Sequence, residues 1–177
     1  MADLENKENV LRDQDCPFCR KKTLTLSEQE MEIPFFGNVF LFGMTCDSCN
    51  YKKSDVEAST PQKPCKWTFD VTCKDDLNVR IVKSAEARLK IPHIGSIEPG
   101  PDAEGYVTNV EGIITRFKRQ IESLKESEED DDDKKKAKNM LKKIQNVLWG
   151  SEQIKIIIED KTGNSAIISE KAQKSSL

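Results

Sequence analysis

Cys16-Pro17-Phe18-Cys19 and Cys46-Asp47-Ser48-Cys49 decide how this 177-residue chain is read. Two residues between paired thiols let the backbone turn until both sulfurs face one point. Two such turns complete the tetrahedron that Zn2+ prefers. The spacing therefore predicts one structural zinc ion held by Cys16, Cys19, Cys46 and Cys49, with no coordination position left for a catalytic water. A redox-active pair would need only one of the two motifs.

The residue after each pair must finish a tight turn. Asn50 adopts the left-handed backbone region readily, whereas Arg20 tolerates it less well. Val39-Phe40-Leu41-Phe42 reads as a strand entering the second turn, with Pro34 and Gly37 breaking the chain before it. The two turns and this strand predict a zinc ribbon over residues 1–60, its N-terminal end a short flexible tail. Cys65 and Cys73 are read as non-ligands. Cys73 falls on the apolar side of an alternating run that begins at Trp67, which places it in a core.

Composition narrows the function. The chain is 33% charged, 36% hydrophobic and 6% aromatic, so its core rests on Ile, Val and Leu and should be thin. A formal net charge of −3 gives no general attraction to phosphate, which makes nucleic acid an unlikely partner. The N-terminus lacks the apolar stretch of a signal peptide, and no run approaches the roughly 20 apolar residues that span a bilayer. A soluble, cytoplasmic protein without membrane contact is expected, and cysteines in a reducing compartment favour metal over disulfides. The single histidine, His93, cannot build a multi-histidine catalytic metal site. No phosphate loop or nucleophile elbow stands out, so binding rather than enzymatic chemistry is expected.

Ala58-Ser59-Thr60-Pro61-Gln62-Lys63-Pro64 reads as a linker or a domain entry, placing a domain boundary near residue 60. Residues 61–177 then form a mainly β domain. Alternation over 67–73, 77–81 and 87–91, and again over 154–158 and 166–168, predicts half-buried antiparallel strands of a sandwich or barrel. Asp160-Lys161-Thr162-Gly163-Asn164 suits a hairpin turn between the last two. A helical hairpin is inserted at about 108–149. Its first helix carries Val110, Ile113, Ile114, Phe117, Ile121 and Leu124 at helical spacing behind a capping box of Thr108 and Glu111. Its second carries Met140, Leu141, Ile144, Val147 and Leu148 and stops before Gly150. The tip, near residues 127–134, holds six consecutive acids from Glu128 to Asp133. Asp130, Asp131, Asp132 and Asp133 are the candidate contact for a basic partner, set against a purely solubilising role and a favourable placement at the N-terminus of the second helix.

Together, Cys16-Pro17-Phe18-Cys19, Ile33-Pro34-Phe35-Phe36, the run from Cys46 to Val56, Val110-Glu111-Gly112-Ile113 and the run from Glu159 to Ser165 resemble the ZPR-type zinc-finger family. The likeness covers nearly the whole chain. Arg20 and Asn50 stand where that family usually has glycine. The resemblance implies a four-cysteine zinc finger followed by a double-stranded β-helix, a jelly-roll-like domain carrying an α-helical hairpin. With one cysteine set, it implies the single-module, archaeal-like form. It further implies binding to translation elongation factor 1-alpha and a chaperone role in that factor's folding. The alternative is a nucleic-acid-binding zinc ribbon that uses Arg20-Lys21-Lys22 and Lys52-Lys53 beside the two metal turns. Oligomeric state is not legible in the sequence.

Overall fold

The computed structural model describes residues 8–33, 36–60 and 62–177. Residues 1–7, where the expected flexible tail begins, and the expected breakers Pro34 and Pro61 lie outside the described residues.

Four strands open the chain: β1 (Glu8–Asp15), β2 (Lys22–Ile33), β3 (Gly37–Cys46) and β4 (Lys52–Ala58). They form one antiparallel sheet in sequence order. In such a meander the first and third turns must fall at the same end, and those are the two cysteine turns. Sequence reading missed β1, whose side chains are all exposed and show no period-2 burial. It is also irregular: its register against β2 shifts after Leu11, next to Asp13 at a φ of 57°.

The remainder is a jelly-roll domain of two sheets. Strands β5 (Cys65–Val71), β7 (Arg88–Ile91), β8 (Gly95–Ile97), β10 (Ile154–Asp160) and β12 (Gln173–Ser176) make a five-stranded sheet in the order β12-β5-β10-β7-β8. Strands β6 (Arg80–Lys83), β9 (Tyr106–Asn109) and β11 (Ala166–Ile168) make the other, in the order β11-β6-β9. β10 sits between β5 and β7, and its alternation puts Ile154, Ile156 and Ile158 into the core against Phe69, Leu89 and Ile91. Each such side chain removed from water stabilises the fold by roughly 1.5–3 kcal/mol before entropy is counted.

Helices α1 (Val110–Ser127) and α2 (Asp131–Leu148) complete that same core with Ile113, Ile114, Phe117, Ile144 and Val147. Leu124, expected on the apolar stripe, is 67% exposed because the helix runs on past the core. The α1 cap is Asn109, whose Oδ1 accepts from the Gly112 N–H at 2.8 Å. The cap falls one residue after Thr108, so the expected Thr108–Glu111 capping box does not form. Gly150 ends α2 at a φ of 79°. Neither helix is long and apolar enough to cross a membrane.

Three further expectations are corrected. Leu77 and Asn78 are not in a strand: Lys74–Asn78 is a 3-10 turn, organised by the Asp76 carboxylate, which accepts from the Thr72 N–H at 2.9 Å and the Thr72 hydroxyl at 3.0 Å. Cys73 is exposed rather than core, since β5 stops at Val71 and the chain turns outward before reaching it. Residues 160–164 form a corner and not a hairpin, because β10 and β11 belong to different sheets.

That corner also holds the ribbon. The Asn164 side-chain oxygen accepts from the Ala58 N–H at 3.2 Å. Gly163, at a φ of 76°, lies so close to Lys63 that a Cβ there would collide with its carbonyl oxygen. A second junction joins β4 to the loop before β9, where the Gly105 N–H donates to the Ser54 carbonyl at 3.0 Å and the Ser54 hydroxyl donates to the Gly105 carbonyl at 3.0 Å. Ile33, Val39 and Val56 of the ribbon bury against Val82 of β6 beside these bonds.

Candidate metal centre

Each cysteine turn is built the same way. Cys16 N–H donates to the Lys21 carbonyl at 3.0 Å and Arg20 N–H to the Cys16 carbonyl at 2.9 Å. In the second turn Cys46 N–H donates to Tyr51 and Asn50 N–H to Cys46, both at 2.9 Å. Arg20 and Asn50 both take the left-handed conformation, at φ of 59° and 56°. The strain expected at Arg20 is thus accepted, held by the two bonds that bracket it.

Pairing Leu24 with Cys46 across β2 and β3 sets the two turns face to face. All four sulfurs lie within 4.8 Å of one another, with Cys16 to Cys49 and Cys19 to Cys46 each at 3.7 Å. A Zn–S bond of about 2.3 Å implies a tetrahedral edge of about 3.8 Å, so the donor set fits one zinc ion. Cys16 and Cys46 are buried and Cys19 and Cys49 half-buried, a closed site with Leu24, Leu26, Met44 and Tyr51 packed around it. Cys65 is buried elsewhere in the chain and Cys73 is exposed, and neither joins the cluster.

Sequence reading missed the hydroxyl behind the ligands. Thr23 Oγ1 lies 3.3 Å from the Cys46 sulfur and donates to Ser48 Oγ at 2.9 Å. Thr23 holds the Cys46 thiol down at about 6, with backbone N–H groups of Cys49 and Ser48 helping against the burial that opposes them. Cys49 has the Tyr51 N–H favouring its thiolate, yet burial and the three neighbouring sulfurs push it up to about 12. Four sulfurs this close repel as thiolates until a dication is placed among them.

The acidic run is divided by the fold. Asp130 is the N-cap of α2, with Oδ1 accepting from the Asp132 and Asp133 N–H groups at 2.8 and 3.0 Å. Asp131, Asp132 and Asp133 form the first helical turn, where the N-terminal partial charge favours them. Asp133 pairs with Lys136 at 2.6 Å and Asp131 with Lys134 at 3.9 Å, leaving Asp132 without an ion pair among the described residues. His93 occupies the exposed turn between β7 and β8 at a φ of 64°, far in sequence from the cysteines and outside their cluster.

Known proteins share both halves of this architecture. A family model described as the ZPR1 zinc-finger domain matches residues 10–64, and one described as the ZPR1 jelly-roll domain matches residues 75–176. An uncharacterized ZPR1-like protein of Methanocaldococcus jannaschii is 38% identical over 165 residues, spanning 92% of this chain and 83% of its own. A similar protein of Pyrococcus horikoshii is 35% identical over 168 residues, spanning 92% of this chain and 75% of its own. The zinc finger chaperone zpr1 of Schizosaccharomyces pombe is 36% identical over 141 residues, 76% of this chain but 30% of that longer protein.

Proposed function

This chain belongs to the ZPR1 family, and from that premise we propose that it is a zinc-structured protein-binding module, not an enzyme, that engages translation elongation factor 1-alpha in the cytoplasm and assists its folding. The observation that carries the reading is the closed donor set: four thiols at tetrahedral spacing leave the metal no position for substrate or water. The ion then shapes a surface and does no chemistry. A family relative bearing the name chaperone supports the folding role.

The ribbon supplies apolar anchors for such a partner. Phe18 is 78% exposed at the tip of the first cysteine turn and stacks on Tyr51 at 6.4 Å between ring centroids. Aromatic anchors of this kind carry most of the energy of protein interfaces. Asp131 and Asp132 on the helical hairpin offer a second, electrostatic contact to a basic surface, while Asp130 is already engaged by its own helix.

Gel filtration of purified chain with purified elongation factor 1-alpha tests the proposal. Co-elution is expected, weakened on the order of tenfold by Phe18→Ala. Failure to co-elute with either the GDP-bound or the newly synthesised factor would overturn it. The nucleic-acid reading draws on Arg20, Lys21, Lys22, Lys52 and Lys53, all exposed around the two metal turns. Phosphate-dominated binding falls steeply with salt, whereas a packed protein interface does not, so a salt titration separates the two.

A further inference from the structure

Lys83 ends β6 at 4% exposure. Its ammonium donates to the Ser84 carbonyl at 2.9 Å and the Glu104 carbonyl at 3.3 Å, and it pairs with no carboxylate among the described residues. A buried charge without a counter-ion is costly. Desolvation pulls its pKa down, although Asp55 and Asp160 at longer range act the other way. The Lys83 ammonium lies 5.5 Å from the Tyr106 ring centroid, and the Arg116 guanidinium, from α1, lies 4.0 Å from the same centroid. Arg119 stands one turn further along the helix. Among the described residues neither arginine forms an ion pair.

These three cations line one cavity of about 570 Å3, floored by Ala87 and Ile97 and bounded by the 98–104 loop. That size falls in the range of small-molecule sites. Both arginines continue into an adjoining polar hollow lined by Thr108, Asn109, Thr115 and the exposed Glu111 at the first turn of α1. Carboxylates share the cavity: Glu98 lies 2.6 Å from Arg88, while Asp102 and Glu104 are exposed on the loop.

We propose that this cavity binds the phosphate group of a small phosphorylated molecule, with Lys83, Arg116 and Arg119 as its cationic contacts and Tyr106 holding two of them in place. Three cations from two elements match a group carrying nearly two charges and three acceptor oxygens better than a carboxylate with one charge and two. Asp102 and Glu104, exposed on the rim, disfavour an extended polyanion such as a nucleic-acid strand more than a single phosphate group. They favour a ligand whose remaining body is neutral or cationic.

The test is a titration of inorganic phosphate into the zinc-loaded full chain at constant ionic strength, followed by amide chemical shifts, with sodium acetate as the carboxylate arm. Saturable phosphate shifts clustered at Lys83, Tyr106, Arg116 and Arg119 are expected, with none from acetate. In an Arg116→Ala, Arg119→Ala double variant, two exposed positions whose loss should leave zinc content and circular dichroism unchanged, phosphate affinity should fall at least tenfold. Shifts that never saturate, that concentrate on Lys134 to Lys138, that persist in the double variant, or that acetate reproduces would each overturn the proposal.

Discussion

The ribbon and the jelly roll are both antiparallel β structures, yet they are held together by different means. The jelly roll encloses a continuous apolar core from Phe69 through Ile121 to Ile167. Among the described residues at the metal end of the ribbon only Cys16, Leu24 and Cys46 are buried, and two of those three are zinc donors. Where a small sheet cannot bury enough apolar surface to offset chain entropy, a metal supplies the difference. A shortage of core thus shows in a sequence as an excess of paired cysteines.

Metal removal should separate the two regions most. Chelation or Cys46→Ser should forfeit binding energy of about 10 kcal/mol or more, as structural zinc sites do. We expect zinc content to fall to zero and amide dispersion to collapse over Cys16–Tyr51, while helical circular dichroism persists. Loss of the helical signal as well would show that the jelly roll depends on the metal too.

The converse test lies at Asp160, which the alternation of β10 places inward behind Ile158. Burial disfavours its charge, but Ser165 Oγ at 2.5 Å, Thr162 Oγ1 and the Thr162 N–H at 2.8 Å, and Ser84 Oγ at 2.8 Å hold its pKa below the ordinary carboxylate value. A depressed folded pKa contributes stability that is complete above the unfolded value of about 4 and is lost as pH falls through the folded one. Asp160→Ala should cost about 3 kcal/mol by orphaning those donors, and should flatten the loss of stability with acid below about pH 4. Chemical denaturation across pH measures both. Zinc affinity should be unchanged.

Smaller effects sharpen the contrast within each region. Thr23→Ala should lower zinc affinity by about 10- to 100-fold in competition with a chromogenic chelator, leaving jelly-roll stability intact. Asn109→Ala, which removes the α1 cap, should cost about 1 kcal/mol of thermal stability and leave zinc binding untouched.

The same contrast explains what could be read in advance. The four cysteines were legible because spacing alone brings two thiols to one point, and the meander does the rest. Thr23 was not, because its place beside Cys46 depends on the β2–β3 register. The isoleucines of β10 announced a buried strand, whereas Gln173–Ser176 and Glu8–Asp15 pair through their backbones with every side chain exposed, leaving no pattern to find. Asp160 obeyed the period of its strand, but its residue type argued for a turn. Lys83 did likewise: a lysine at a strand end reads as solvent, and only the fold around Tyr106 buries it.

The breaker-rich stretch after β4 looks like a tether, and its two ends are pinned instead. Ala58 is bonded to Asn164, and Gly163 is pressed against Lys63. A partner that touches ribbon and jelly roll together therefore meets two patches at a fixed separation. It gives up little conformational freedom of this chain when it grips both, and the second contact forms as though its ligand were already concentrated at the site.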